Sequence, residues 1–379
     1  MTSPLFIRGL AAASLLVGLG VTATSAVASA DGFHANAHAL FVETDAPASN
    51  SVLSYLRGPD GTVSYAGTFA TGGLGQAAAN AVADPLASQG GLALVGGGAE
   101  LVATNPGSNT VSVFAVHGAR LRLVEQVPSG GSFPNSVASY GDLVAVLNAG
   151  GSGSVAEFNL RDGRLVPRAG DVRSLGLNNT TPPDFVHGAG QVGYTPDGHH
   201  LIVTTKHSSD AYEVFSVDAH GALGASPVVT PADNAVPFAF NFDANGNLVG
   251  VEASNSSLST YSVNANGTLT SLGSVSDGAK ALCWISSAKG YFFGDNAGSA
   301  SISSFDENGS GAPQLVNATA ASAHAGTTDS TVSPDGATLY VLSGGAGTLD
   351  VYSVASTGSL SQVETVFNVP VASEGIAAS

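Results

Sequence analysis

Cysteine, methionine and tryptophan are almost absent: each occurs once in 379 residues. The single thiol, Cys283, excludes an intramolecular disulfide and any C-x-x-C redox or metal motif, and its small apolar bulk suits a buried position. Basic residues are scarce too, with 11 Lys and Arg against 28 Asp and Glu and a net charge of −17. Binding to nucleic acid or to anionic lipid rests on basic surface, so neither a nucleic-acid nor a membrane partner is expected. Helical periodicity is missing beyond Ala30, which excludes a bundle. What the chain has instead is 49 glycines among many Ser, Thr and Asn. Such a composition suits short strands joined by tight turns, because Gly and Asn tolerate positive φ.

The apolar run from Gly9 to Gly20 follows Arg8 and precedes Ala28-Ser29-Ala30. A basic start, a short apolar core and small residues at a cut form the pattern of a secretory signal peptide, too short to span a bilayer. The expected division is a leader over residues 1–30 and one mature domain over 31–379. With no cysteine at the cut to carry a lipid, the mature protein is expected to be secreted or otherwise extracytoplasmic.

The mature part repeats. Seven stretches of alternating polar and apolar residues each carry an aromatic at one place: Tyr55, Phe114, Phe158, Phe215, Tyr261, Phe305 and Tyr352. Their spacings are 59, 44, 57, 46, 44 and 47 residues, and four strands with their turns need roughly 40–50. The two long gaps hold insertions, at residues 72–88 and 175–186. Before each aromatic lies an apolar strand, at 40–43, 101–104, 143–147, 201–205, 248–251, 291–293 and 339–342. Several of these follow a turn such as Thr195-Pro196-Asp197-Gly198 or Ser333-Pro334-Asp335-Gly336. The pattern predicts an all-β, seven-bladed β-propeller, with strands A to D from the axis outward and the aromatic on C. The first blade lacks its own inner strand, and Glu374-Gly375-Ile376-Ala377-Ala378 resembles Asn135-Ser136-Val137-Ala138-Ser139. The C-terminus is therefore expected to close the ring, leaving no end blade with an open edge.

No G-x-S-x-G, H-E-x-x-H or C-x-x-C motif is present. Gly188-Ala189-Gly190-Gln191-Val192-Gly193 matches G-x-G-x-x-G, but it leads into a turn rather than a helix and stands where an inner strand belongs. No cofactor and no metal centre is expected.

Two rings of polar residues can be placed at the mouth of the channel. Asn105, Lys206, Glu252, Asn296 and Ser343 each lie nine residues before their blade's aromatic, and Asp45 and Asn148 lie ten before. A second ring precedes the inner strands: Asp184, His187, Lys280, Asp329 and Glu374. The asparagines suit turn formation as well as ligand binding. Lys206 and Glu252 sit at the same step of consecutive blades, as an inter-blade ion pair or as a functional pair. Asp184 and His187, in a proline-stiffened loop, form a candidate acid–base pair.

The segments from Leu101 to Phe114 and from Leu339 to Gly344 resemble blades of the lactonase-family propellers, which include 6-phosphogluconolactonase and 3-carboxy-cis,cis-muconate lactonizing enzyme. The likeness runs from about Ala39 to the end and is greatest to exported bacterial members. It implies the propeller fold and a lactone hydrolase or lactonizing activity; of the residues that the repeat places at the mouth, His187 or Glu252 would then be the general base and Lys206 would polarise the carbonyl oxygen. Asp184, Asn105, Asn148, Asn296, Asp329 and Glu374 would line the ligand site. Family enzymes place Arg at the mouth for anionic substrates, whereas every arginine after Arg8 falls here on a C–D turn or an outer strand. A calcium site built from Asn105, Asn148, Glu252 and Asn296 is not favoured, because those positions are spread evenly around the ring. The alternative to an enzyme is a monomeric, non-catalytic propeller that binds a small molecule or a protein on the same face.

Overall fold

The computed structural model describes residues 38–379; the leader over 1–30 and the expected start near Asp31 lie outside them. Seven four-stranded antiparallel sheets form the domain. In blade 4 the strands run Ala189–Tyr194, His200–Thr205, Ala211–Ser216 and Val228–Pro231 from the axis outward. Each inner strand packs against those of the blades before and after it, so the ring is closed.

Burial falls from axis to rim. Second strands such as Ala39–Glu43 and His200–Thr205 are buried throughout, whereas the outer strand Val63–Ala70 is largely open to solvent. This is why the second strands read as unbroken apolar runs: they have a neighbouring sheet on both faces. The core lies between blades. Leu147 and Val155 of blade 3 pack with Leu201, Val203 and Phe215 of blade 4. All seven repeat aromatics lie on third strands. Phe215 is 0% exposed, so Phe215→Ala should cost about 3–5 kcal/mol, the usual range for emptying a buried aromatic site. Urea denaturation measures this, and a loss below about 1 kcal/mol would mean that the ring is not packed as described.

Ring closure follows the expected course. Ile376–Ala378 pairs antiparallel with Ala39–Glu43, setting Phe41 against Ala377. Arg57 secures the end, donating to the Tyr340 hydroxyl at 2.9 Å and to the Ser379 carbonyl. The glycine-rich 188–193 motif supplies the inner strand Ala189–Tyr194. Gly190 has a packing reason: a Cβ there would lie 2.5 Å from the Phe238 carbonyl oxygen of the next blade. Gly246 has a conformational one, closing the Asp243–Asn247 turn at φ +82°, where a side chain would be strained.

Candidate functional site

The mouth on the side where the second strands end is capped. Residues 72–88 cross it, anchored by residues of four blades. Glu374 accepts from Leu86 N–H at 2.6 Å and Ser88 N–H at 3.2 Å. Trp284 Nε1 donates to the Ser88 carbonyl at 2.8 Å. Just beyond the cap, the Gln89 amide exchanges two hydrogen bonds with the Ile285 backbone, at 2.9 and 3.0 Å. The Ser88 hydroxyl donates to the Asn135 carbonyl at 2.6 Å. The two insertions meet on this face: Ala79 N donates to Pro183 O at 2.8 Å, and Phe185 N donates to Ala79 O at 2.9 Å.

Lys206 lies beneath this cap, 1% exposed. Its Nζ donates to the Ala87 carbonyl at 2.6 Å and sits 5.3 and 5.1 Å from the Phe185 and Phe238 ring centroids. Burial pulls the ammonium down to about 8, although the Asp84 and Glu374 carboxylates work to raise it. Burial raises both of those carboxyls, and the Asp84 charge raises Glu374 further.

Lys206 and Glu252 do not come together. No ion pair joins them, because Glu252 turns into its own blade and accepts from the Tyr261 hydroxyl at 3.0 Å and the Ser257 hydroxyl at 3.1 Å. A carboxylate held by two hydroxyls of the adjacent strand has its acceptors met where it stands. The ring asparagines are fully buried and also bond locally. Asn105 donates to Ser112 Oγ at 2.9 Å, Asn148 to the Ser129 carbonyl at 3.1 Å and Asn296 to Ser303 Oγ at 2.9 Å. Each staples the end of its second strand. Asp329 is buried as well, and one of its oxygens accepts from Ser330 N–H at 2.8 Å. Lys280 is exposed.

Asp184 and His187 do form a pair. The imidazole Nδ1 lies 2.7 Å from Asp184 Oδ1, with the two side chains 50% and 27% exposed. The hydrogen bond from His187 is the largest of the effects that hold the Asp184 carboxyl below the usual range. A carboxylate at Nδ1 assigns the ring proton there and leaves Nε2 as the base. The His207 ring stands 6.0 Å from that of His187.

Beside this pair opens a pocket of about 250 Å³ over blades 4 to 6. Phe185, Val236, Phe238 and Cys283 give it apolar walls; Lys206 and His207 are among its polar members. Burial pushes the Cys283 thiol far up, so it has little thiolate to offer. Sequence reasoning did not reach Asp84, Asn80 or Phe185 as parts of this region. The first two stand in the 72–88 insertion, outside the repeat register, and Phe185 is a lone aromatic in the other.

No protein-family model matches the sequence, and no curated protein does. Solved structures do match. A “putative 6-phosphogluconolactonase” from Bacteroides fragilis superposes with a TM-score of 0.70 at 17% identity, covering 90% of this chain and 98% of its own. Another so described, from Bacteroides uniformis, gives 0.70 at 18% identity over 90% and 99%. The periplasmic gluconolactonase of Pseudomonas aeruginosa gives 0.67 at 19% identity over 90% and 98%. Identities this low speak for the backbone and its course, and the chain is a seven-bladed β-propeller built on the same architecture as these proteins.

Proposed function

We propose that this chain is an exported hydrolase of small, uncharged lactones, working in the pocket over blades 4 to 6 with His187 as general base. The observation that carries the reading is the Asp184–His187 contact of 2.7 Å beside an apolar pocket that holds a buried cation. His187 Nε2 takes a proton from water, and the oxygen adds to the lactone carbonyl carbon. The ring C–O bond then breaks and the proton passes to the departing alkoxide oxygen. Lys206, charged below about pH 8, favours the negative charge that develops on the carbonyl oxygen. The shared architecture of proteins named as lactonases supports the class of substrate, and the leader sequence supports export. An uncharged substrate is favoured over a phosphorylated one: Arg57, Arg120, Arg122, Arg161, Arg164, Arg168 and Arg173 all lie on third or outer strands, away from the pocket.

A panel of neutral γ- and δ-lactones, gluconolactone and a phosphorylated lactone tests this on purified protein. His187→Ala should reduce turnover of the best substrate by about 10²–10⁴-fold with little change in melting temperature, since the ring is half exposed. Equal turnover in the variant, or none of any lactone by the wild type, overturns the reading. A second reading is favoured by one observation: Lys206 and Glu374 are engaged in holding the cap. It makes the same pocket a binding site without chemistry, and it predicts a wild type that takes up a small apolar ligand and turns nothing over.

A further inference from the structure

We propose that Asn80, in the first insertion, is a positioning residue for the Asp184–His187 pair in the second. Its amide Nδ2 donates to Asp184 Oδ2 at 2.7 Å, while Asp184 Oδ1 takes the His187 imidazole at 2.7 Å and Val186 N–H at 3.2 Å. Both carboxylate oxygens are therefore engaged from opposite sides. The carboxylate cannot rotate about its Cβ–Cγ bond without giving up one partner, and the imidazole plane follows the carboxylate.

The insertion delivers Asn80 by its backbone. Ala79 is bridged in parallel to Asp184, through the two hydrogen bonds to Pro183 and Phe185 already described. The segment turns back on itself where Ala78 N donates to Pro85 O at 2.7 Å. Ala78 and Ala87 are buried against Phe133 and Ala149, with Phe185 alongside. Asn80 itself is exposed and has φ +64°, a left-handed conformation that Asn and Gly accept more readily than other residues. No packing requirement accounts for its side chain, whereas the hydrogen bond to Asp184 does. The charged and titratable groups around the pair are Asp184 and His187 on their own loop, His207 with its ring 6.0 Å away, and Lys206, which couples to Asp184 through space.

The kinetic part of the test rests on the lactone-hydrolase reading; the spectroscopic part does not. Two variants keep the left-handed backbone. Asn80→Gly removes the amide, and Asn80→Asp replaces the donor with a second carboxylate. In the full mature protein, nitrogen NMR of the His187 ring should show the proton held on Nδ1 in the wild type and divided between Nδ1 and Nε2 in both variants, because a carboxylate that has lost one partner no longer fixes the ring. Asn80→Gly should lower kcat about tenfold, the worth of one charge-assisted hydrogen bond, with KM and melting temperature close to wild type. Ring spectra of both variants that overlay the wild type overturn the proposal whatever the lactone assay shows. If the ring changes as expected in a protein that hydrolyses nothing, the positioning by Asn80 stands and it is the proposed activity that falls.

Discussion

Removing residues 374–379 should leave a chain that no longer melts as one cooperative propeller near the wild-type temperature. Three strand pairs are lost, Leu40 with Ala378, Phe41 with Ala377 and Val42 with Ile376. The hydrogen bonds from Glu43 N to Gly375 O at 2.9 Å and from Ser379 N to Ala39 O at 2.8 Å go with them. Leu40, Phe41 and Val42 are each 0% exposed and would become an open, apolar edge. Glu374 leaves too, taking the acceptor for Leu86 and Ser88 and so loosening the cap. At about 1 kcal/mol for each hydrogen bond, with the unpaired groups costing more, the loss is on the order of 5 kcal/mol or above, comparable to the roughly 5–15 kcal/mol by which domains are stable. Thermal melting followed by near- and far-ultraviolet circular dichroism reads this out. A truncated chain with an unchanged transition would show that three strands suffice for blade 1.

Raising the pH from 5 to 8 should lower the melting temperature, and the cause is a set of buried carboxyls. Burial raises Glu43, Asp45, Asp84, Asp329 and Glu374, and brings Asp295 and Glu213 to about 7. A carboxyl whose folded pKa lies above its unfolded value binds its proton more tightly when folded. Its stabilising contribution is whole below about pH 4 and is lost as the pH rises through the folded value, about 7 for Asp295 and Glu213. For Asp295, moved from 3.8 to about 7, the part of the shift that falls above pH 5 corresponds to on the order of 3 kcal/mol, or roughly 4 °C in a domain of this size. Lys206 works in the opposite sense, but only between about 8 and its unfolded value near 10.4, above this window. Asp295→Asn, neutral at every pH, should flatten the profile and be the more stable protein at pH 8. A wild-type melting temperature that is level or rising between pH 5 and 8 would refute the assignment of these groups as buried and protonated.

The propeller was legible from Tyr55, Phe114 and their successors because a blade is a local object. Strand alternation, turn residues and a repeat near 45 residues are all written within one stretch of chain. Even closure by residues around Ile376 could be read, since the missing inner strand left a gap that a matching sequence at the other end could fill. Asp184 and His187 were legible for the same reason: three residues apart in one loop, they depend on no distant partner to meet.

The channel mouth was a different matter. Lys206 and Glu252 share a register, and register predicts the height of a residue in its blade but not where its side chain turns. Tyr261 and Ser257 claim Glu252 within its own sheet, while the Ala87 carbonyl of the cap claims Lys206. The path of residues 72–88 has no period and no secondary structure to announce it. It is decided by which buried donors and acceptors around the ring are left for it to meet: Glu374, Asn135, Lys206 and Trp284, from four different blades. The sequence by itself determined the blade, the number of blades and how the ring closes. Only the tertiary structure decided that the mouth is capped, which charges the cap consumes, and that Asn80 reaches Asp184, because each of these depends on contacts between residues far apart in the chain.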